Sequence, residues 1–137
     1  MADPPARTTI DELLARSRAA LTRLDPLAAA RAVRDDGAIL VDVRSDRQRA
    51  RDGAIPGAIF HPRNVLEWRA DPTSSHADPE LSRDLDRTVV VVCDEGYQSS
   101  LAAATLQELG FANATDLVGG FQAWRAAELP VAPLDER

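Results

Sequence analysis

Apolar positions along the chain follow two spacings, and the change from one to the other marks out the elements. Ile10, Leu13, Leu14, Leu21 and Leu24 recur near a 3.6-residue period, which predicts an amphipathic helix from about residue 10 to residue 23. Thr9 stands at its start, and Glu12 follows three positions later, the spacing of a capping box. The residues before it, 1–8, are rich in proline and small side chains and read as a frayed tail. Asp25-Pro26 opens a second helix, with the aspartate as cap and the proline in the first turn. Gly37 is placed to end it.

From residue 38 the pattern changes. The run AILVDV at 38–43 is short, apolar and β-branched, which suits a buried strand. Ser45 can cap a polar helix over 46–52, a Gly/Pro turn follows at 53–57, and 58–60 is a second short strand. Residues 64–69 suit a helical turn, 71–79 a loop, and 81–85 a weak helix. The run TVVVVC at 88–93 is the strongest strand in the chain. Its unbroken β-branched character predicts burial on both faces, as in a parallel sheet. A tight loop at 94–98 leads into a helix capped by Ser99 or Ser100 and ended by Gly110. A last strand at 114–118, a Gly-Gly pair and a helix over 121–127 complete the series, and a polar tail begins at 129. Strands alternating with helices predict an α/β fold, a mostly parallel sheet of about five strands with helices on both faces.

Composition narrows the possibilities. With 137 residues and 45% hydrophobic content, the chain can bury a core of ordinary domain size. All 16 basic residues are arginine, and 22 acids leave a net charge of −6. No basic cluster suits a nucleic-acid backbone, so no nucleic-acid partner is expected. No apolar run reaches the roughly 20 residues of a membrane span. The first residues contain no apolar signal core, so a cytoplasmic location and no membrane partner are expected. The single cysteine suits a reducing compartment. One cysteine and two histidines, His61 and His76, make a structural metal site an unpromising reading, and no metal is expected.

The candidate chemistry lies at Cys93. It ends the strongest strand and precedes a glycine-containing loop and a helix start. Ligands of open α/β sheets bind outside the carboxyl ends of strands. A helix N-terminus there presents unpaired N–H groups and favours the thiolate. Gly96 lets successive amides curl around an anion. On these features alone, Cys93 is equally well a small buried hydrophobe.

Four segments carry a resemblance that shifts this balance. CDEGYQS at 93–99 resembles the active-site loop of rhodanese-like sulfurtransferases. LVDVR at 40–44 resembles that family's first-strand motif, GAIPGA at 53–58 its "GHIPGA" turn, and GGFQAW at 119–124 its closing motif. The four stand in the family's order. The resemblance implies a rhodanese-like domain over 27–131, preceded by a tail and added helix at 1–26 and followed by a tail at 132–137. It implies a sulfurtransferase that takes a sulfane sulfur from thiosulfate or a persulfide. By that resemblance Cys93 would hold the sulfur as a persulfide and pass it to cyanide or a thiol, without a cofactor. Asp94, Glu95, Gly96, Tyr97, Gln98 and Ser99 would then bind substrate, mainly through backbone amides, with the Ser99 hydroxyl as an added donor. The partners implied are a small sulfur-containing substrate and a protein or low-molecular-weight thiol acceptor.

The chain also departs from the family. Ala54 replaces the turn's histidine, a position read as structural. Asp94 and Glu95 oppose an anionic donor, and are expected to weaken dianionic thiosulfate relative to a less charged persulfide. Arg44 and Arg63 are the basic residues placed to attract the anion, although an ion pair with Asp42 suits Arg44 better and solvated surface suits Arg63 as well. Trp68 and Trp124 read as packing residues, Tyr97 as a pocket wall, and His61 and His76 as solvated surface. Two other functions compete. A phosphatase or arsenate reductase needs an arginine six positions after the cysteine, where this chain has Ser99. A non-enzymatic protein-binding or redox-sensing module would use the same fold without turnover.

Overall fold

Four consecutive valines set the centre of the molecule. A computed structural model of the chain describes residues 6–134, and in it Val89–Val92 form strand β3, every residue fully buried. β-Branched side chains pack well on a pleated surface, and burying each one contributes about 1.5–3 kcal/mol. β3 pairs in parallel with β1 (Ile39–Asp42) on one side and with β4 (Ala114–Asp116) on the other. β2 (Ile59–Phe60) pairs in parallel with β1, so the sheet order is β2-β1-β3-β4. A single parallel bridge from Leu24 to Leu117 occupies the fifth position beyond β4.

The α-helices between the strands are α1 (Ile10–Ala19), α2 (Pro26–Asp36), α3 (Asp46–Asp52), α4 (Leu66–Ala70), α5 (Pro79–Ser82), α6 (Gln98–Glu108) and α7 (Gly120–Ala126). A 3₁₀ turn, Arg63–Val65, leads into α4. They cover both faces. One core layer joins Leu66, Leu81, Ala102, Ala103, Leu106 and Phe111 to alternate strand residues, and the other joins Ala29, Leu117, Phe121 and Trp124 to the rest. The α/β architecture therefore follows the alternation of patterns in the sequence.

The caps match their local chemistry. Thr9 and Glu12 form the expected capping box, as do Ser45 and Gln48 at α3. Asp25 caps α2 with Pro26 in its first turn, and Gly37 ends it in the left-handed region at φ +72°.

Other expectations need correction. The first helix stops at Ala19 rather than near residue 23. Thr22 is β-branched, and Asp25 precedes a proline and is held out of helical geometry. The segment after Ala19 instead runs along the edge of β4, where Leu24 donates to the Asp116 carbonyl and accepts from Val118. No residue of α1 is buried, and Ile10 and Leu13 are exposed.

α5 begins at Pro79, two residues earlier than expected, because Asp78 caps it. Trp68 is 58% exposed, since Leu66 and Ala70 take the inward positions of the short helix α4. Trp124 is buried, and its indole N–H donates to the Pro130 carbonyl. His61 is not solvated surface. Its Nε2 lies 2.7 Å from an Asp78 carboxylate oxygen. His76 is exposed, as expected. The expected tail at 1–8 lies partly outside the described residues, which begin at 6. After residue 129 the chain is pinned by an antiparallel bridge from Ala132 to Ala54.

Candidate active site

Cys93 follows the last residue of β3, at the carboxyl end of the sheet. Its side chain is nearly enclosed, at 2% exposure, yet it forms the floor of a cavity of about 360 Å³. Gln48, Asp94, Glu95, Tyr97 and Gln98 form the walls. The Gly96 amide donates to Sγ at 3.1 Å, and Sγ lies 3.2 Å from Ser99 Oγ. Gly96 adopts φ +88°, and an added Cβ would lie 2.7 Å from the Gly119 nitrogen. Only glycine fits there, and its turn brings its own amide back onto the sulfur.

The carbonyls of this loop face away from the cavity. Cys93 accepts a hydrogen bond from the Phe121 amide at 2.8 Å, and Asp94 accepts one from the Gln122 amide at 3.1 Å. The Gly96 carbonyl accepts from two guanidinium groups, Arg18 at 2.8 Å and Arg23 at 3.0 Å. In a planar trans peptide the N–H points opposite the C=O. The amides of Asp94, Glu95 and Tyr97, each sharing a peptide with one of these carbonyls, are therefore turned the other way. Among the described residues, no protein group accepts from the amides of Asp94, Glu95, Tyr97, Gln98 or Ser99. Backbone donors left free in this way line a concavity beside the sulfur, and such an arrangement is suited to an anion.

The Gly119-Gly120 pair makes the first of these supports possible. Gly120 has φ +61°, and a Cβ on it would lie 2.5 Å from the Cys93 carbonyl oxygen. With no side chain in the way, the start of α7 comes close enough for Phe121 and Gln122 to reach the loop.

Beneath the loop lies a carboxylate that the sequence reading missed. Asp116, fully buried at the end of β4, accepts from the hydroxyls of Ser99 at 2.7 Å and Ser100 at 2.8 Å. Arg23 grips it with Nε at 2.8 Å and Nη2 at 3.2 Å. α6 accordingly starts at Gln98 with no side-chain cap, because both serine hydroxyls turn to Asp116. Ser99 therefore accepts from the thiol instead of donating to it.

The two candidate anion-attracting arginines are occupied elsewhere. Arg44 is fully buried, bonded to Asp42 through Nε at 3.1 Å and Nη2 at 2.9 Å and to the Gly53 carbonyl at 2.7 Å. It lies over the Phe121 ring, 3.7 Å from the ring centroid. Burying that guanidinium requires a carboxylate, and Asp42 supplies it. Arg63 pairs with Glu67 one helical turn away, at 2.7 Å.

At the rim, Asp94 is not an isolated charge. Arg51 reaches it at 3.3 Å and the Gln122 side chain donates to it at 3.0 Å. Arg51 and Gln122 also hold Asp52, and their hydrogen bonds keep its carboxyl down at about 2. Glu95 and Tyr97 are exposed, so Glu95 is the residual negative charge at the mouth.

The Rhodanese-like domain family model matches residues 25–127. The thiosulfate sulfurtransferase GlpE of Pseudomonas savastanoi pv. phaseolicola is 41% identical over 101 residues, 74% of this chain and 85% of that protein. The same-named protein of Actinobacillus succinogenes is 33% identical over 112 residues, 82% of this chain and 91% of its own length. Among solved structures, a Rhodopseudomonas palustris protein of unknown function, described as a possible tyrosine phosphatase, is 32% identical. It superposes with a TM-score of 0.84 over 96% of this chain and 99% of that one.

Proposed function

The chain belongs to the rhodanese-like domain family and is an enzyme of the sulfurtransferase type, and from that premise we propose that Cys93 carries the transferred sulfur as a persulfide. The observation that supports this reading is the position of Sγ. It sits on the floor of an open cavity, takes the Gly96 amide at 3.1 Å, and adjoins free backbone donors.

In the proposed reaction the Cys93 thiolate attacks the outer sulfur of thiosulfate. The sulfur–sulfur bond breaks, its electron pair leaves with sulfite, and the enzyme holds Cys–S–S⁻. The acceptor, cyanide or a thiolate, then attacks the outer sulfur, takes it as thiocyanate or a persulfide, and returns the thiolate. Charge and sulfur balance in both steps, and no oxidant or cofactor enters. One hard transfer becomes two easier ones. The loop amides stabilise the bound anion and the persulfide, as backbone donors do when aimed at developing charge.

Thiosulfate is the donor named in the relatives. Arg51, shared with Asp52, partly offsets one of the two charges expected to oppose it, that of Asp94. A persulfide, carrying less charge, meets less repulsion from Glu95. The acceptor is a small thiol, a protein thiol or cyanide, and a reducing cytoplasm suits a single free cysteine.

The phosphatase description of the Rhodopseudomonas relative fits the site less well. A phosphate loop needs a guanidinium directed at the oxyanion, and Ser99 stands at that position. Arg18 and Arg23 grip a carbonyl and a carboxylate instead.

The test is incubation with thiosulfate followed by intact mass measurement. A gain of one sulfur atom that disappears in Cys93→Ser is the expected result. No gain with thiosulfate or with glutathione persulfide would overturn the carrier role and favour a binding or redox-sensing module.

A further inference from the structure

The sulfur loop rests on a group of residues drawn partly from ahead of the family-matched region. Arg18, near the end of α1, donates through Nη2 to the Gly96 carbonyl and through Nε to Ser100 Oγ at 3.0 Å. Arg23, in the extended segment after α1, donates to the same carbonyl and grips Asp116. Ser100 and Ser99 donate to Asp116, and Ser99 touches Sγ. Two guanidinium groups, two hydroxyls, one carboxylate and one peptide carbonyl thus form a closed network under the loop. Family matching begins at residue 25, after both arginines.

Resting on the reading of Cys93 as sulfur carrier, we propose that Arg18 and Arg23 are positioning residues for sulfur loading. They hold the Gly96–Tyr97 peptide with its carbonyl outward and its N–H toward the cavity side of the loop. Peptide planarity supplies the coupling. Left to itself, this peptide is free to flip, because Gly96 tolerates backbone angles that other residues avoid. α7 fixes the two preceding carbonyls with main-chain amides, and nothing from α7 reaches the third.

The arginines also supply charge. Arg23 is balanced by Asp116, whereas among the described residues no carboxylate pairs with Arg18. One cation therefore stands beneath the cradle, where it favours an anionic donor and the persulfide anion and partly offsets Glu95. Arg18 further lies 5.8 Å from the centroid of the Tyr97 ring, which ties the cavity wall to the same group.

Arg18 is the cleaner residue to change, since removing Arg23 strands a buried carboxylate. The experiment compares Arg18→Gln and Arg18→Lys with wild type in the full chain, using thiosulfate and glutathione persulfide as donors and cyanide as acceptor. In a two-step transfer, kcat/KM for each donor reports loading and kcat/KM for cyanide reports unloading. Arg18→Gln is expected to lower the donor value about tenfold, the scale of one lost charge-assisted hydrogen bond. The cyanide value should hold or rise, because a less stabilised persulfide is attacked more readily. Arg18→Lys should recover part of the loss, and exchange of the Gly96 amide, which is bonded to Sγ, should quicken in Arg18→Gln.

A merely structural defect lowers the active fraction and both values together, and that result overturns the proposal. So does an unchanged donor value in an enzyme that loads sulfur on Cys93. Failure of the wild type to load any sulfur is a different result, and it removes the carrier reading on which the proposal rests.

Discussion

The sulfur loop is held from two sides by different means. On the α7 side, the Phe121 and Gln122 amides meet the Cys93 and Asp94 carbonyls across a contact so close that Gly120 leaves no room for a Cβ. On the α1 side, two long side chains reach the Gly96 carbonyl, Arg18 from a helix with no buried residue and Arg23 from the extended segment after it. Both achieve the same result, a peptide carbonyl turned out and its N–H turned in. The main-chain support is stiff and depends on the absence of a side chain. The arginine support depends on charge and on a buried carboxylate, and it is open to tuning by substitution. A cradle built from both can keep its shape on one flank while its electrostatics change on the other.

Three substitutions separate the two supports, the most damaging first. Asp116→Ala strands Arg23 and removes the acceptor of two buried hydroxyls. It should cost about 3–5 kcal/mol of stability, the usual penalty for breaking a buried pair. Urea unfolding measures this, and a loss below about 1 kcal/mol would show that the arginine side is not organised around a carboxylate. Gly120→Ala adds a methyl against the Cys93 carbonyl at a left-handed backbone position. A destabilisation of about 2–3 kcal/mol is expected. Sulfur loading should fall with it, and full loading at wild-type rate would mean the cradle does not need this close approach.

The third and smallest effect concerns Asp52, which anchors Gln122 at the start of α7. Its carboxyl, bonded by Arg51 and then Gln122, is held down at about 2 in the folded protein. A carboxyl lowered on folding contributes stability above its unfolded value, and loses that contribution as pH falls toward the folded one. The melting temperature of wild type relative to Asp52→Asn should therefore be steady at neutral pH. The difference should shrink between the ordinary carboxylate range and about pH 2. A difference that stays level through that window would remove Asp52 from the α7 support.

The same contrast accounts for what the sequence made legible. α2, α3 and β3 could be read because local signals agree with the fold: Asp25-Pro26 and Gly37, the Ser45–Gln48 box, and four valines between turns. The loop at Cys93 and the Gly-Gly pair stand in recognisable strings. Arg18, Arg23 and Asp116 carry no such mark. Their roles come from a contact between segments far apart in the chain, and the apolar spacing of Leu21 and Leu24 concealed the end of α1 at Ala19. Extending that helix through residue 23 hid the segment that delivers Arg23 to β4. Ser99 and Ser100 suited helix caps until the position of Asp116 was known. Trp68 had to be placed by the inward choice of Leu66 and Ala70, which single-chain patterning does not fix.

The carbonyls of Cys93 and Asp94 are turned outward by residues that follow them in the chain, at the start of α7. Phe121 and Gln122 each stand 28 positions after the residue whose carbonyl they hold, so this flank of the cradle is long-range in sequence and forms only when α7 docks on the folded sheet. A chain truncated before α7 keeps the thiol but lacks the amides that turn the Cys93 and Asp94 carbonyls outward.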